Sequence, residues 1–355
     1  MSLHPAVAAV RLGVRRVLAG VGPGEVVLVA CSGGADSLAL LSGAVFEARR
    51  PGLKVIGATV DHGLQDGSAE RAAAVVAQMA GLGADETVSS RVGVVDGGNG
   101  PEAAARHARY AVLEQLADHF GASVVLLGHT RDDQAETVLL GLARGSGGRS
   151  IAGMRRGFDR FRRPLLDVSR ADTAAACGAE GIEAWQDPHN DDPRFTRVRV
   201  RHHVMPMLET ELGPGVAVSL ARTADLLRPD MELLDDLAEQ THRDLGGGFA
   251  LPVADLETLA GPLRTRVLRR AALAAGSPPT ELFREHVDAI DRLVTDWRGQ
   301  KWVDLPGHLR AVRRDGVLAV EPPPVSPPTR PPLTAPGGGL LPGGGGSPRE
   351  GGVAV

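Results

Sequence analysis

The stretch Val26-Val-Leu-Val-Ala-Cys-Ser-Gly-Gly-Ala-Asp-Ser37 predicts a buried strand, a glycine turn and the start of a helix. Its first five residues are an uninterrupted apolar run rich in β-branched side chains, which is typical of a strand covered on both faces of a parallel sheet. Gly33 and Gly34 tolerate backbone conformations and close approaches that a Cβ atom forbids. Because the backbone N–H groups at a helix start point outward at an anion, the stretch predicts a phosphate-binding turn.

Asp36 distinguishes this turn from a Walker A loop. That loop, G-x-x-x-x-G-K-[ST], has a lysine directly before its final hydroxyl residue, whereas here Asp36 precedes Ser37. A carboxylate repels phosphates unless a cation lies between them. We therefore interpret Asp36 as a residue that binds Mg²⁺ or positions a nucleotide. A purely structural turn is the alternative, because glycines after a strand are common in α/β proteins.

Length and composition limit the class of protein. A chain of 355 residues exceeds one average domain, which predicts two folded units. Hydrophobic residues make up 43% of the chain but aromatic residues only 3%, which favours α/β and helical layers over a β-sandwich. Two cysteines, Cys31 and Cys177, are too few for a disulfide framework or a four-cysteine zinc site. Without a signal peptide or a run of about 18 apolar residues, the sequence predicts a cytoplasmic protein with no membrane segment.

The order of strand and helix patterns predicts three regions. Residues 1–208 alternate between the two patterns, which predicts an α/β fold with a doubly wound, parallel five-stranded sheet. Residues 209–320 read as a small, mainly helical domain that ends in a hairpin between Lys301 and Val320. Proline and glycine supply 19 of the last 35 residues, so residues 321–355 are expected to form a disordered tail.

A second polar stretch, Gly128-His-Thr-Arg-Asp-Asp-Gln-Ala-Glu-Thr137, follows the fourth predicted strand. If a helix begins near Asp132, Asp133 and Glu136 lie one turn apart on the same face. Two such carboxylates can bind Mg²⁺ or an amine, or can simply favour the helix dipole. Helix capping explains one acidic residue, but it does not explain why His129 occurs together with three acids, Asp132, Asp133 and Glu136, at the expected edge of a ligand crevice. We therefore favour a functional interpretation.

Two further sets of polar residues are expected near the same crevice. Asp61 and His62 end the second predicted strand, and the carboxyl ends of parallel strands border the ligand site in open α/β sheets. A loop histidine without a ligand is the alternative for His62. Arg106, Arg109 and Tyr110 share one side of a predicted helix, where exposed helical arginines are the alternative.

The arginines of this chain are clustered in sequence. The net charge of −4 argues weakly against nonspecific binding of nucleic acid, but an average charge does not describe local clusters. Two short segments hold nine of the arginines, and a solvated basic surface is the simplest interpretation of such a run. The nine residues are Arg155, Arg156, Arg160, Arg162, Arg163, Arg194, Arg197, Arg199 and Arg201.

Several of these stretches together resemble the tRNA(Ile)-lysidine synthase family, a member of the PP-loop ATP pyrophosphatase superfamily. The resemblance covers roughly residues 26–210 and rests on seven stretches that occur in the same order. They are residues 32–37, 61–64, 102–110, 132–147, 163–166, 185–190 and 197–201. The family ligates free lysine to the wobble cytidine of a tRNA(Ile) with the anticodon CAU. The cytosine 2-oxo group attacks the α phosphate of ATP, and a lysine amine then displaces AMP.

The resemblance implies roles for individual residues. It implies ATP binding by Ser32, Gly33, Gly34, Ala35, Asp36, Ser37, Asp61 and His62, with Mg²⁺ at Asp36. Asp133 and Glu136 match positions that recognise L-lysine, and Arg109 and His129 match positions near ATP or the reacting base. Arg197 and Arg201 match positions that face the substrates, and the arginine clusters become expected phosphate contacts.

The sequence departs from the family pattern at two positions and leaves three questions open. Thr130 stands where a second histidine is often found, and Val198 stands where an asparagine is often found, so neither position is given a role. The oligomeric state stays open, with a homodimer among the alternatives. So does the way in which the tRNA acceptor end is held, and the way in which the methionine tRNA with the same anticodon is rejected.

Two other functions compete with this interpretation. A tRNA thiolase of the same superfamily commonly needs paired cysteines for sulfur transfer or an iron–sulfur cluster, and the two cysteines here lie far apart in sequence. A nucleotide-binding regulator without enzymatic activity is the second alternative. Such a regulator would not need the acid pair or the arginine clusters.

Overall fold

The structure is a computed structural model that describes residues 3–61, 67–92, 101–145, 147–187 and 191–323, with the backbone alone for residues 101–105. His62 and the expected tail from residue 324 onward lie outside the described residues. The chain forms two compact units, Met1–Gln240 and Thr241–Val355. In the described part of the chain, no helix is both long and apolar enough to cross a membrane.

The first unit alternates strands and helices. Its strands are β1 (Val26–Ala30), β2 (Lys54–Asp61), β3 (Glu86–Arg91), β4 (Ala122–Leu126), β5 (Gly157–Phe158) and β6 (Phe161–Arg162). Its helices are α1 (Pro5–Leu18), α2 (Ala35–Ala48), α3 (Ser68–Gly81), α4 (Pro101–Phe120), α5 (Arg131–Ala143), α6 (Gly148–Ile151), α7 (Arg170–Glu180), α8 (Thr196–Arg199), α9 (Met205–Glu211) and most of α10 (Val216–Asp244). A π-helical turn at Val200–Val204 joins α8 to α9.

The sheet of the first unit has the strand order β3-β2-β1-β4-β6-β5. Its first five strands run parallel, which confirms the doubly wound parallel architecture. The short strand β5 adds a sixth, antiparallel strand through a hairpin with β6. The last parallel strand has only two residues, because Pro164 has no N–H group to continue the ladder.

The central strand β1 is covered on both faces, as its apolar run predicts. Val27 and Val29 are fully buried in a core with residues of α1, α2 and α7. Leu28 points to the opposite face and packs in a second core with Leu113 and Ala117 of α4. Since neighbouring residues of a strand alternate between faces, five consecutive apolar residues supply both cores at once.

The second unit contains a sheet that the sequence did not predict. Its strands are β7 (Ala250–Pro252), β8 (Val303–Leu305), β9 (Leu309–Arg314) and β10 (Val317–Glu321), in the antiparallel order β7-β10-β9-β8. Its helices are α11 (Val253–Thr258), α12 (Gly261–Ala274) and α13 (Arg284–Thr295). The expected hairpin is β9–β10, which turns at Asp315 and Gly316 with positive φ angles. Two of the strands have only three residues, too short to show an alternating pattern.

Helix α10 continues through Pro229, which is exposed. Because proline has no N–H group, the carbonyl of Asp225 lacks its usual helical donor. The first compact unit extends to Gln240, because ion pairs join α10 to the rest of this unit. Arg149 lies 2.6 Å from Asp235, for example.

Helix α1 packs closely against the segment that follows β6. A Cβ atom on Gly13 would lie 2.4 Å from the carbonyl oxygen of Pro164, a distance that backbone atoms cannot accommodate without moving. We therefore expect Gly13→Ala to lower the free energy of unfolding by about 1–3 kcal/mol. Urea denaturation measures this loss. Gly81→Ala is the matched control, because a Cβ atom at Gly81 meets nothing within 4 Å, and a loss of similar size there would contradict the packing argument.

Candidate active site

The turn after β1 is held by the hydroxyl group of Ser37. The Ser37 Oγ accepts from the backbone N–H of Ser32 at 3.1 Å and donates to the carbonyl of Gly34 at 2.9 Å. Gly33 has φ +83°, and a Cβ atom there would lie 2.7 Å from Cγ2 of Val75. The turn therefore needs glycine both for its backbone angle and for the space beside α3.

Helix α2 begins at Ala35 with no side chain capping its N-terminus. Its first N–H groups and the helix dipole thus favour an anion in front of the turn. The end of β4 approaches this helix start closely, since a Cβ atom on Gly128 would lie 3.2 Å from the backbone carbonyl of Asp36. The two polar stretches of the sequence meet at this point.

A cavity of about 640 Å³ lies in front of the turn, within the first unit. Its wall is formed by the start of α2, the ends of β2 and β4, one face of α4 and the start of α7. Polar residues on the wall include Ser32, Asp36, Ser37, Arg106, Arg109, Tyr110, His129, Asp133, Arg170, Gln186, Asp187, Asp191 and Arg201. Trp185 also lines it, with the guanidinium carbon of Arg71 4.0 Å from the ring centroid.

Asp36 is a carboxylate held in a partly dry environment. Burial raises its pKa to about 6, and the negative charge of Asp133 adds to this effect, although a hydrogen bond from Thr173 and the charge of Arg170 oppose it. The Thr173 hydroxyl donates to Oδ1, and the Arg170 Nε lies 3.9 Å from Oδ2. Asp36 thus lacks a close cation of its own in this arrangement, and an added positive charge would stabilise its ionised form.

The described residues contain no group of three or more His, Cys, Asp or Glu side chains placed to hold a metal ion. A protein-only metal cage is therefore absent from this part of the chain. A single carboxylate at an open cavity does fit Mg²⁺, which proteins usually bind through one or two carboxylates together with water and substrate phosphates. Asp36 is the carboxylate that would hold it.

Asp133 and Glu136 lie together, as their helical spacing predicts, but three arginines already bind them. The Arg170 Nη2 lies 3.0 Å from Asp133 Oδ1 and 3.1 Å from Glu136 Oε1. Arg201 contacts the same two carboxylates through Nη2 at 3.3 Å and Nε at 2.8 Å. Arg197 donates from Nε to Glu136 Oε2 at 3.0 Å. The acid pair is the centre of a compact ionic network.

The two acids differ in their access to the cavity. Glu136 is 1% exposed and lies behind Asp133, whereas Asp133 is on the cavity wall. Burial acts to raise the pKa of Asp133, but Arg170 and the backbone N–H of Thr130 outweigh it and hold that pKa below its usual range. Asp133 is therefore ionised at neutral pH and faces any ligand in the cavity.

His129 is neutral in this site. Burial, together with the charges of Arg163, Arg106 and Arg197, lowers its pKa to about 3, although Asp133 acts in the opposite direction. Its Nδ1 accepts a hydrogen bond from Nε of Arg163 at 3.2 Å. An imidazole with such a pKa gains no proton in the physiological pH range.

The structure places only some of the remaining sequence-predicted residues on the cavity wall. Arg109 lines the cavity from α4, as expected. Asp61 lies at the end of β2, but Val60 rather than Asp61 is on the cavity wall, because neighbouring strand residues point to opposite faces. The Asp61 carboxylate lies 3.9 Å from Nε of Arg91 instead. His62 lies outside the described residues.

All nine clustered arginines have partners within the chain. Arg156, for example, binds Asp167 and Asp225 at 2.7 and 2.8 Å, and Arg160 binds Glu114 and Asp118. Arg155, Arg156 and Arg194 are nevertheless well exposed, with 47–83% of each side chain accessible. Exposed pairs contribute little to stability, so these three can exchange a carboxylate for a phosphate at small cost.

Sequence reasoning missed Arg170 and Thr173, which contact the site from α7. Ser169 caps this helix, but no local sequence pattern indicates that its first turn lies against Asp36 and Asp133. Arg163 was predicted only as a clustered arginine and as part of a family stretch, and the structure shows that it contacts His129.

Comparison with known proteins agrees with this geometry. A family model described as a PP-loop domain matches residues 14–208, and one described as a TilS substrate binding domain matches residues 251–318. The chain is 56% identical to the tRNA(Ile)-lysidine synthase of Thermobifida fusca, over 89% of this chain and 98% of that protein. The chain belongs to the tRNA(Ile)-lysidine synthase family. It is also 50% identical to the tRNA(Ile)-lysidine synthase of Streptomyces coelicolor, over 90% of this chain and 99% of that protein.

Membership of the tRNA(Ile)-lysidine synthase family confirms the resemblance seen in the sequence. Among solved structures, a U34-tRNA thiolase from Methanococcus maripaludis with its [4Fe-4S] cluster matches with a TM-score of 0.53 at 17% identity. The match covers 63% of this chain and 80% of the thiolase chain. At this identity the likeness shows the fold alone, and it supports the parallel α/β architecture.

The raised pKa of Asp36 predicts a gain in stability when its charge is removed. Because the folded-state pKa is about 6 and the ordinary value is 3.8, the wild-type protein loses stability as the pH rises from about 4 to 6. We expect Asp36→Asn to raise the free energy of unfolding by up to about 3 kcal/mol at pH 8. Urea titrations should show roughly half that gain at pH 5. A gain that does not depend on pH would show that burial of charge is not its cause.

The ionic network predicts a large cost for removing the charge of Glu136. In Glu136→Gln, three guanidinium groups lose a shared carboxylate in a buried site, so the free energy of unfolding should fall by about 3–5 kcal/mol. Glu211→Gln is the control, because Glu211 is an exposed acid at the end of α9 and should change stability by less than about 0.5 kcal/mol. Equal losses in the free energy of unfolding of the two variants would mean that solvent, rather than Glu136, balances the charge of the three arginines.

Proposed function

We propose that this chain ligates free L-lysine to the wobble cytidine of a tRNA(Ile) with the anticodon CAU, using ATP and releasing AMP and pyrophosphate. Membership of the family supports this function, since the relatives are named tRNA(Ile)-lysidine synthases after lysidine, the product of the reaction. The structural observation that supports it most is a single cavity with a phosphate-binding turn on one side and an acid–arginine network on the other. A two-step ligation needs both an ATP site and an amino-acid site around one reacting atom.

In the first step, we propose that the 2-oxo group of cytosine attacks the α phosphorus of ATP, which is held at the start of α2. The backbone N–H groups of the turn bind phosphate oxygens, and Ser37 keeps the turn in shape. Asp36 is the proposed ligand for Mg²⁺, which would neutralise charge on the phosphates when bound. Arg109, Arg170 and Arg201 line the same cavity and would offset the charge that develops on the leaving pyrophosphate.

In the second step, a lysine amine attacks C2 of the adenylated cytosine and AMP leaves. The attacking amine must be neutral, so the other end of lysine, with its carboxylate and remaining ammonium group, is the part that the protein can recognise. Asp133 is ionised on the cavity wall and suits the ammonium group. Arg170 and Arg201 beside it suit the carboxylate. Glu136 would contact lysine only after Arg197 or Arg201 moves, and otherwise acts by holding these arginines in place.

The tRNA would contact the exposed arginines of the first unit and the region matched as a substrate binding domain. Arg155, Arg156, Arg194 and Arg199 are the exposed members of the clusters. We propose a cytoplasmic location, in agreement with the absence of a membrane-spanning helix from the described residues. Both cysteines are buried, and Cys31 lines the cavity whereas Cys177 does not, so the cavity wall lacks the cysteine pair that a thiolase commonly needs.

One experiment tests the function directly. The protein is incubated with Mg·ATP, L-lysine and a CAU-anticodon tRNA(Ile) transcript, and the tRNA is then weighed by mass spectrometry. We expect a mass gain equal to lysine less one water, which depends on both ATP and lysine. Asp36→Ala should abolish adenylation, measured as AMP and pyrophosphate release, while circular dichroism shows that the fold persists.

Controls distinguish the alternatives. A transcript with the wobble cytidine replaced by uridine should gain no mass, because uracil lacks the 4-amino group whose electron donation makes the 2-oxo group of cytosine nucleophilic. ATP binding without any mass gain of the CAU transcript would contradict the proposed ligation and favour the regulator. In a parallel reaction with added sulfide, a mass gain that matches the exchange of oxygen for sulfur would favour the thiolase.

A further inference from the structure

Arg163 is a buried arginine whose hydrogen bonds fix its orientation. Its side chain is 5% exposed and belongs to the segment directly after β6. The Nε donates to Nδ1 of His129 at 3.2 Å, and Nη2 donates to the Tyr110 hydroxyl at 3.1 Å. The Nη1 donates to the carbonyl of Arg155 at 2.5 Å. Each guanidinium nitrogen thus has an acceptor, so the group cannot turn without losing one of them.

These bonds determine the protonation of His129. A guanidinium group only donates hydrogen bonds, so the Nδ1 that accepts from it must carry a lone pair. The ring proton is therefore on Nε2, and the doubly protonated imidazolium is excluded while the contact persists. Because His129 lines the cavity and its Nδ1 is covered by Arg163, Nε2–H is the polar group that the ring can offer to a ligand.

The surroundings of Arg163 reinforce this arrangement. The Tyr110 hydroxyl accepts a second hydrogen bond, from Nη2 of Arg106, at 3.1 Å. The Tyr110 ring packs against Phe158 and Phe161, with centroid distances of 5.8 and 5.1 Å. The acceptor of Arg163 is thus anchored in the aromatic layer beside β5 and β6. The charged groups that act on the imidazole are Asp133, Arg163, Arg106 and Arg197, and the three arginines all disfavour the imidazolium form.

We propose that Arg163 is a positioning residue that holds His129 as a neutral, Nε2-protonated imidazole, so that His129 donates a fixed hydrogen bond to a phosphoryl oxygen in the cavity. His129 then stabilises negative charge in the reaction and takes up no proton from the substrates. The identity of the phosphoryl group rests on the proposed function, since it is taken to belong to ATP. A donor held in place before the reaction stabilises charge without any cost of reorientation.

The first test measures the imidazole in the protein alone. Histidine labelled with ¹⁵N is incorporated, and the ring nitrogens of His129 are identified by comparison with His129→Asn. We expect the pattern of the neutral Nε2–H tautomer throughout pH 5–9. An Nδ1–H tautomer, or an imidazolium form at pH 7, would overturn the proposal. This measurement needs no substrate, so it stands even if the proposed ligation fails.

Variants then separate positioning from a general structural role. In Arg163→Met the ring loses its fixed donor and one neighbouring cation, so we expect a mixture of tautomers and a raised pKa for His129. Arg163→Lys keeps a donor and a charge, and should restore part of the wild-type pattern. Arg162→Met is the matched control, because Arg162 donates to the carbonyls of Asp159 and Phe161 and should leave the His129 tautomer unchanged.

The same variants predict a specific kinetic pattern. In Arg163→Met, kcat for pyrophosphate release should fall about 10- to 100-fold with little change in the KM for ATP, as for other residues that orient a functional group. The pH profile should acquire a new inflection at low pH, because His129 becomes titratable. A uniform loss of activity with an unchanged pH profile and tautomer would show that Arg163 is merely structural. If Arg163→Met does not fold, Arg163→Lys and the wild-type tautomer still decide the question.

Discussion

The close approach of two parallel strand ends is the constraint on which the rest of this structure depends. Strands β1 and β4 are neighbours in the sheet although α2, α3, α4 and two other strands separate them in sequence. Chain connections leave this pair in opposite directions, and such a switch point opens a crevice at the carboxyl edge of the sheet. Gly128 allows the β4 end to contact the backbone of Asp36, so the glycine turn after β1 and the second polar stretch share one crevice.

Charge balance is the second organising feature of the site. Asp36, Asp133 and Glu136 are acids in a poorly solvated environment, and the nearby arginines neutralise them unequally. Arg170 and Arg201 contact both Asp133 and Glu136, and Arg197 contacts Glu136 as well, whereas Asp36 has a hydroxyl donor and one Arg170 nitrogen 3.9 Å away. Asp36 is therefore the acid of this site whose charge the protein compensates least. Such local violations of the rules of stability are expected at functional sites.

Much of this arrangement follows from local sequence. The apolar run of β1 predicted a strand covered on both faces, and the spacing of Asp133 and Glu136 predicted a shared helix face. Contacts between distant parts of the chain could not be predicted in this way. Arg170 contacts Glu136 and Thr173 contacts Asp36, each more than thirty positions away, and no local sequence pattern indicates these pairs. The pairing of six of the nine clustered arginines with an acid was missed for the same reason. Sequence shows where charges occur, but only the fold shows which of them are already neutralised.

The contact between Gly13 and Pro164 gives helix α1 a connection to the chemistry that its own residues do not suggest. Pro164 directly follows Arg163, so the position of α1 sets the position of the backbone that carries this arginine. A substitution at residue 13 that displaces Pro164 should therefore also displace Arg163 and weaken its hydrogen bond to His129. Helix α1 thus supports a side chain of the site although none of its own residues lines the cavity.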